Sequence, residues 1–120
     1  MGIAWHGSYA LYFEDAREAF GRRYGLGYLD ICREGYYVPL VDLEFHYRRP
    51  ITYGLAPQIT ITFRPTAAAK LVFDYLIADP ATGETLATGR SVQVFLDERR
   101  QLLWDAPAFF IKWKERWGIR

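Results

Sequence analysis

His6-Gly7-Ser8, followed at once by Tyr9-Ala10-Leu11-Tyr12-Phe13-Glu14, is the stretch of this 120-residue sequence best equipped for chemistry. A histidine can give or take a proton near neutral pH. If a helix starts beside it, the first backbone N–H groups of that helix have no intrahelical partner, and the dipole is positive at that end. Donors held in this way stabilise an oxygen that gains negative charge during a reaction, by roughly 3–4 kcal/mol each. Gly7 carries no side chain to obstruct an approaching ligand. About two turns further on, Glu14 and Asp15 supply carboxylates. A partner subunit that buried Glu14 would fit it as a base or nucleophile. The same residues also have plainer readings. His6-Gly7-Ser8 can be a capping turn, and Glu14 can pair with Arg17 at i, i+3 for a few tenths of a kcal/mol.

A helix must position these groups, and the sequence predicts one over residues 8–24 with Ser8 as N-cap. Tyr9, Phe13, Ala16, Phe20 and Tyr24 step by four, three, four and four residues onto one stripe. Leu11, Tyr12 and Ala19 widen that stripe, which predicts burial over much of the girth. Gly25 and Gly27 are stop signals. Strands follow. Residues 38–47 alternate, with Leu40, Asp42, Glu44 and His46 on one side and Val41, Leu43, Phe45 and Tyr47 on the other. Residues 58–63, 70–78 and 85–96 read as three more strands, the last two joined by a turn at 79–83. Arg49 to Gly54 interrupts the ladder, because Pro50 cannot donate to it. Pro107 fits the first turn of a short helix over 108–117. A sheet needs an element to cover its apolar face, and the first helix is the obvious one.

Composition narrows the function. The chain is 51% hydrophobic and 18% aromatic, which describes an ordered domain whose aromatic residues either meet a ligand or second subunit or simply fill a rich core. Lys plus Arg number 15 against 14 Asp plus Glu, a net charge of +1, so nucleic acid is not an expected partner. Cys32 stands alone, and His6 and His46 are isolated, so neither an intrachain disulfide nor a metal centre is expected. No secretory leader or bilayer-spanning stretch is evident, and a cytoplasmic protein is expected.

Trp5, His6, Ser8, Tyr9, Phe13, Glu14, Ala16 and Arg17 together resemble the opening of hotdog-fold acyl-CoA thioesterases of the 4-hydroxybenzoyl-CoA thioesterase type. There an aromatic-His pair precedes Asn or Ser, Tyr and a Phe-Glu-x-Ala-Arg helix. Pro39-Leu40-Val41, Tyr47-Arg48-Arg49-Pro50, Tyr53-Gly54 and Phe73-Asp74-Tyr75 carry the similarity along nearly the whole chain. The resemblance implies an α+β hotdog fold over residues 1–120, with an antiparallel sheet wrapped around a long central helix, a short C-terminal helix and a truncated first strand. It implies hydrolysis of acyl-CoA thioesters, with the carbonyl held at the amides around His6, Gly7 and Ser8. Trp5 and Tyr9 would join the substrate site, and in a related branch a helix carboxylate, here Glu14, carries the chemistry across a subunit interface.

Arg49 and Arg90 are the candidates for the coenzyme's phosphates. No cofactor is expected beyond the coenzyme A of the substrate, and the expected assembly is a homodimer or homotetramer. Two departures stand out. The family's Asp, seven residues before the His position, would fall ahead of Met1, and Leu55 replaces an Asp that often follows the Tyr-Gly pair. The 120-residue chain is therefore expected to fold and oligomerise but to hydrolyse acyl-CoA slowly or not at all. The alternative is a catalytically impaired hotdog domain that binds acyl thioesters or a partner subunit.

Overall fold

The computed structural model describes residues 7–49 and 56–119, the side chains of 7–10 excepted. Three helices and four strands run in the order α1 (Gly7–Tyr24), α2 (Tyr28–Arg33), β1 (Leu40–Tyr47), β2 (Gln58–Arg64), β3 (Lys70–Ala78), β4 (Thr85–Val94) and α3 (Ala108–Arg116). The strands form one sheet in the order β1-β4-β3-β2, and every pairing is antiparallel. This is the α+β arrangement expected, with α1 laid across one face of the sheet.

Alternation decides what faces α1. On β3, Leu71, Phe73, Tyr75 and Ile77 are buried; on β4, Ala87, Gly89, Ser91 and Gln93 are buried. Phe13 lies on this face, stacked between Phe45 and Tyr75 at ring-centroid distances of 5.2 and 4.4 Å. Phe20 continues the contact two turns along the helix, against Phe63 and edge-on to Phe73. Gly89 is what lets the helix come so close. A Cβ there would lie 2.2 Å from Phe13 Cε2 and 2.8 Å from the Glu44 carbonyl oxygen.

Several expectations need correction. Helix α1 already includes Gly7, so Ser8 is a helical residue and not the cap. Leu11 is 60% exposed and Ala19 is also exposed, so the buried stripe is narrower than their apolar character suggests. Gly25 ends α1 at φ +71°, as a stop glycine does. Gly27, however, opens α2, its N–H donating to Asp30 Oδ2 at 2.8 Å. Six residues are too few for a periodic signal, which is why the sequence does not predict α2.

A bulge between Leu40 and Asp42 shifts the register of β1, so Leu40 pairs with Gln93 while Leu43 pairs with Ser91. Leu40 is thereby carried to the α1 side, away from Glu44 and His46. Strand β4 stops at Val94, and Leu96 persists as isolated bridges to Tyr37 and Leu102. Pro107 is the N-cap of α3, one residue ahead of its first turn. Helix α3 closes the end of the core with Phe110 and Trp113, and Trp113 Nε1 donates to the Tyr24 carbonyl at 2.7 Å.

Candidate active site

The chemistry expected of the first residues falls on two levels. Trp5 and His6 lie outside the described residues. Gly7, Ser8 and Tyr9 form the first turn of α1, where backbone N–H groups have no intrahelical acceptor. The Arg-Pro-x-x-Tyr-Gly interruption lies outside the described residues from Pro50 to Leu55.

Two turns into α1, Glu14 is exposed and stands at the rim of a cavity of about 280 Å³ between the helix, α2 and the β1–β4 side of the sheet. Phe13, Tyr28, Leu40, Leu43 and Tyr75 give it apolar walls. Arg17, Ser91 and Gln93 add the polar ones. Small concave sites of this kind, mostly apolar with a few polar groups, are where acyl-sized ligands bind. Tyr75 Oη and Ser91 Oγ share a hydrogen bond of 2.8 Å. Burial pushes the Tyr75 phenol above its ordinary pKa, so it stays protonated at neutral pH.

The plainer sequence reading pairs Arg17 with Glu14. The structure does not. Only 2% of Arg17 is exposed, and among the described residues no ion pair joins it to Glu14. Its Nε donates to Gln93 Oε1 at 3.0 Å, and Gln93 Nε2 in turn donates to the Val38 carbonyl at 2.8 Å. The guanidinium carbon lies 4.7 Å from the Phe73 ring centroid and 5.4 Å from that of Tyr28. Desolvation lowers its pKa, opposed by the nearby Tyr28 and Tyr75 hydroxyls. Nη1 and Nη2 have no hydrogen-bond partner. A cation this buried costs several kcal/mol unless its donors are satisfied.

The two phosphate candidates lie elsewhere. Arg49, just past β1, is exposed and ion-paired with Glu84. Arg90 sits mid-strand on β4, not at a strand end, and alternates with Gly89 and Ser91, so it faces away from α1. It makes a two-toothed contact to Asp74 at 2.7 and 3.2 Å, and Arg64 reaches the same carboxylate at 2.6 Å. These arginines hold the Asp74 carboxyl below its usual pKa, the Arg90 hydrogen bond contributing most. His46 belongs to this outer face, exposed and 3.9 Å from Glu44 Oε2. Within one chain, neither Arg49 nor Arg90 lines the cavity under α1.

The sequence held one signal for the groups that were missed. Ser91 and Gln93 are polar at positions that alternate with Arg90 and Val92. Once a buried face was assigned to β4, two polar residues had to lie on it. Among the described residues no cluster of three His, Cys, Asp or Glu side chains is placed to hold a metal ion, and no helix is long and apolar enough to cross a membrane.

Residues 2–113 match the sequence model of the "Thioesterase-like superfamily". Synechocystis "Putative esterase sll0410" is 30% identical over 80% of the chain and 58% of its own length. Bacillus subtilis "Putative acyl-CoA thioesterase YneP" is 30% identical over 82% of the chain and 70% of its own length. The chain thus spans little more than half the length of the cyanobacterial relative. The solved structure of a DHNA-CoA thioesterase from Staphylococcus aureus superposes with a TM-score of 0.82 at 26% identity, covering 98% of this chain and 78% of that one.

Proposed function

Since this chain belongs to the thioesterase-like superfamily, and its fold is the hotdog fold, we propose that it hydrolyses acyl-CoA thioesters to the free acid and coenzyme A. The observation that carries the reading is the small cavity beneath α1 with Glu14 at its rim, reached from a helix whose first turn is Gly7-Ser8-Tyr9. In this reading the acyl group enters the cavity and the thioester carbonyl turns to the first amides of α1. Those amides stabilise the oxyanion as water adds. Glu14, acting across the subunit interface from those amides, takes the proton from that water, and His6 protonates the departing thiolate. The family resemblance adds Trp5 and Tyr9 to the substrate site. Arg49 and Arg90 take the coenzyme's phosphates by exchanging Glu84 and Asp74 for them, since exposed ion pairs hold weakly.

The working unit of this proposal is a homodimer, alone or doubled into a homotetramer, in the cytoplasm. Among the described residues β1 pairs only with β4, which leaves its other edge open, and Leu40 and Val41 on it are 51% and 57% exposed. An open strand with apolar side chains invites pairing with its copy about a two-fold axis.

Thiol release from a panel of acyl-CoAs, measured on this chain and on one extended upstream, tests the activity. Glu14→Gln is expected to lower kcat by about 100-fold or more with KM little changed, the usual scale of losing a general base. Unchanged release in that variant would remove Glu14 from the chemistry. No release from any acyl-CoA by either chain would remove the hydrolase reading.

A further inference from the structure

Two cavities meet at Tyr28. One is the space of about 280 Å³ beneath α1 with Glu14 at its rim, which the proposed hydrolysis fills with the acyl group. The other is a groove of about 440 Å³ further along α1, between that helix and α2, walled by Glu18, Arg22, Gly25, Leu29 and Arg33. Tyr28 and Arg17 border both. Arg17 is only 2% exposed, so the surface at the junction is that of the Tyr28 ring, which is 43% exposed.

The backbone that carries this ring is pinned. A Cβ on Gly21 of α1 would lie 2.6 Å from Gly27 Cα, so only glycine lets the start of α2 come so close, and the Leu26 N–H donates to the Gly21 carbonyl at 3.0 Å. Leu26 and Ile31, on either side of Tyr28, are fully buried. From this anchored position the ring lies over the Arg17 guanidinium, 5.4 Å from centroid to carbon, and the Gln93 amide donates to Tyr28 Oη at 3.4 Å. The helix and the sheet thus both hold the ring across the passage between the two cavities.

Resting on the hydrolase reading above, we propose that Tyr28 is the chain-length stop of the acyl site, closing the end of the cavity away from Glu14 and restricting the preferred substrates to short and medium acyl groups. An apolar cavity of about 150 Å³ holds one benzene ring, so a space of about 280 Å³ holds roughly ten carbons. A longer tail meets the ring and has to turn back into water, where its further carbons contribute nothing to binding. The groove beyond the ring can take such a tail once the ring is gone. Leu29 and the stems of Arg22 and Arg33 offer apolar surface, while the charged heads are exposed and paired with Glu18 and Asp30 at 3.9 and 2.8 Å. Joined, the two spaces fall well inside the usual size of a ligand site.

The test measures kcat/KM for saturated acyl-CoAs from hexanoyl to hexadecanoyl, kept below their micelle concentrations. In the parent chain the value is expected to stop rising near decanoyl and to be no higher for tetradecanoyl-CoA than for octanoyl-CoA. Tyr28→Ala should raise the tetradecanoyl-to-octanoyl ratio by about tenfold or more, the scale of a few methylenes gaining an apolar wall. Tyr28→Phe keeps the ring and drops the Oη contact, and should keep the parent ratio. Should Tyr28→Ala fail to fold, Tyr28→Leu reads the same shift at smaller size. A parent profile that climbs steadily to hexadecanoyl-CoA would overturn the proposal. So would an unchanged ratio in Tyr28→Ala, or a Tyr28→Phe ratio equal to that of Tyr28→Ala. If no thioester is cleaved, the hydrolase reading fails separately, and calorimetry with the uncleavable thioethers S-octyl-CoA and S-tetradecyl-CoA decides on Tyr28. A tetradecyl-to-octyl affinity ratio that rises about tenfold in Tyr28→Ala would sustain the stop. An unchanged ratio, or no binding of either thioether, would sink it.

Discussion

Gly89→Ala is the sharpest test of how α1 meets the sheet. The added methyl would sit 2.2 Å from Phe13 Cε2 and 2.5 Å from Cζ, where ordinary contacts are 3.4 Å or more. More than an ångström must therefore be found. Phe13 cannot supply it by turning aside, because Phe45 and Tyr75 stack on it at 5.2 and 4.4 Å. Behind the methyl stands the Glu44 carbonyl at 2.8 Å, which is backbone of the paired strand. The helix has to lift.

Overpacking of a core costs about 1–3 kcal/mol, and a clash this deep belongs at the upper end. Loss of glycine's unfolded-state freedom returns about 0.4–1 kcal/mol. A net loss of roughly 2 kcal/mol follows, which for a chain of this length is about 6–12 °C in Tm. Phe13→Ala alone should cost about 3–5 kcal/mol. In the double variant the methyl introduced at position 89 occupies part of the vacated space. The two losses should then fall short of additivity by about 1–3 kcal/mol. Urea and thermal unfolding at one fixed protomer concentration measure all four proteins, since dimerisation makes Tm depend on concentration. Additive losses, or a Gly89→Ala protein as stable as the parent, would refute the packing of Phe13 onto β4.

Three further outcomes are expected. Asp74 is held ionised by Arg90 and Arg64, so its contribution to stability is present above the ordinary carboxyl value of 3.8 and is lost as pH falls through its depressed native pKa. Asp74→Asn should flatten the acid limb of urea midpoints taken between about pH 5 and pH 2, and an unchanged limb would show that the network contributes nothing. Arg49→Ala and Arg90→Ala should each raise KM for an acyl-CoA several-fold and weaken its dependence on salt; unchanged KM in both would place the coenzyme's phosphates elsewhere. Light scattering at micromolar concentration should give at least twice the chain mass of 14.0 kDa, and a stable monomer would remove the paired β1 edges.

The elements were legible where side-chain period and punctuation agreed. The residues 70–78 read as a strand are those of β3, and the Tyr9 to Tyr24 stripe spans α1 nearly to its ends. Legibility failed where one residue changes the phase. The bulge after Leu40 reassigns that side chain to the opposite face, and nothing in Leu-Val-Asp-Leu announces an extra residue. It failed again at α2, where Gly27 reads equally well as the end of one helix or the start of another. Asp30, three residues on, reaches back to the Gly27 N–H, but that contact is visible only once the chain has turned.

The site was half legible for a related reason. Carboxylates and histidines declare themselves by type, so Glu14 stands out in the sequence at once. Arg17 is easily misjudged, because a charged residue three positions after a glutamate has a cheap surface explanation. What turns it inward is the sheet. Arg17 follows Phe13 by four residues, on the same face of α1, and Phe13 is pinned over Gly89. The next inward residues along β4 are Ser91 and Gln93, so the helix delivers its arginine onto a polar row and not an apolar one. Gln93 then takes a single N–H of the fork and leaves the outer two unmatched. A sequence written only for packing would place Leu or Met at position 17 and apolar residues at 91 and 93, at no cost in buried charge. Three coordinated polar choices on two elements, converging beside one small cavity, are what packing alone would not select.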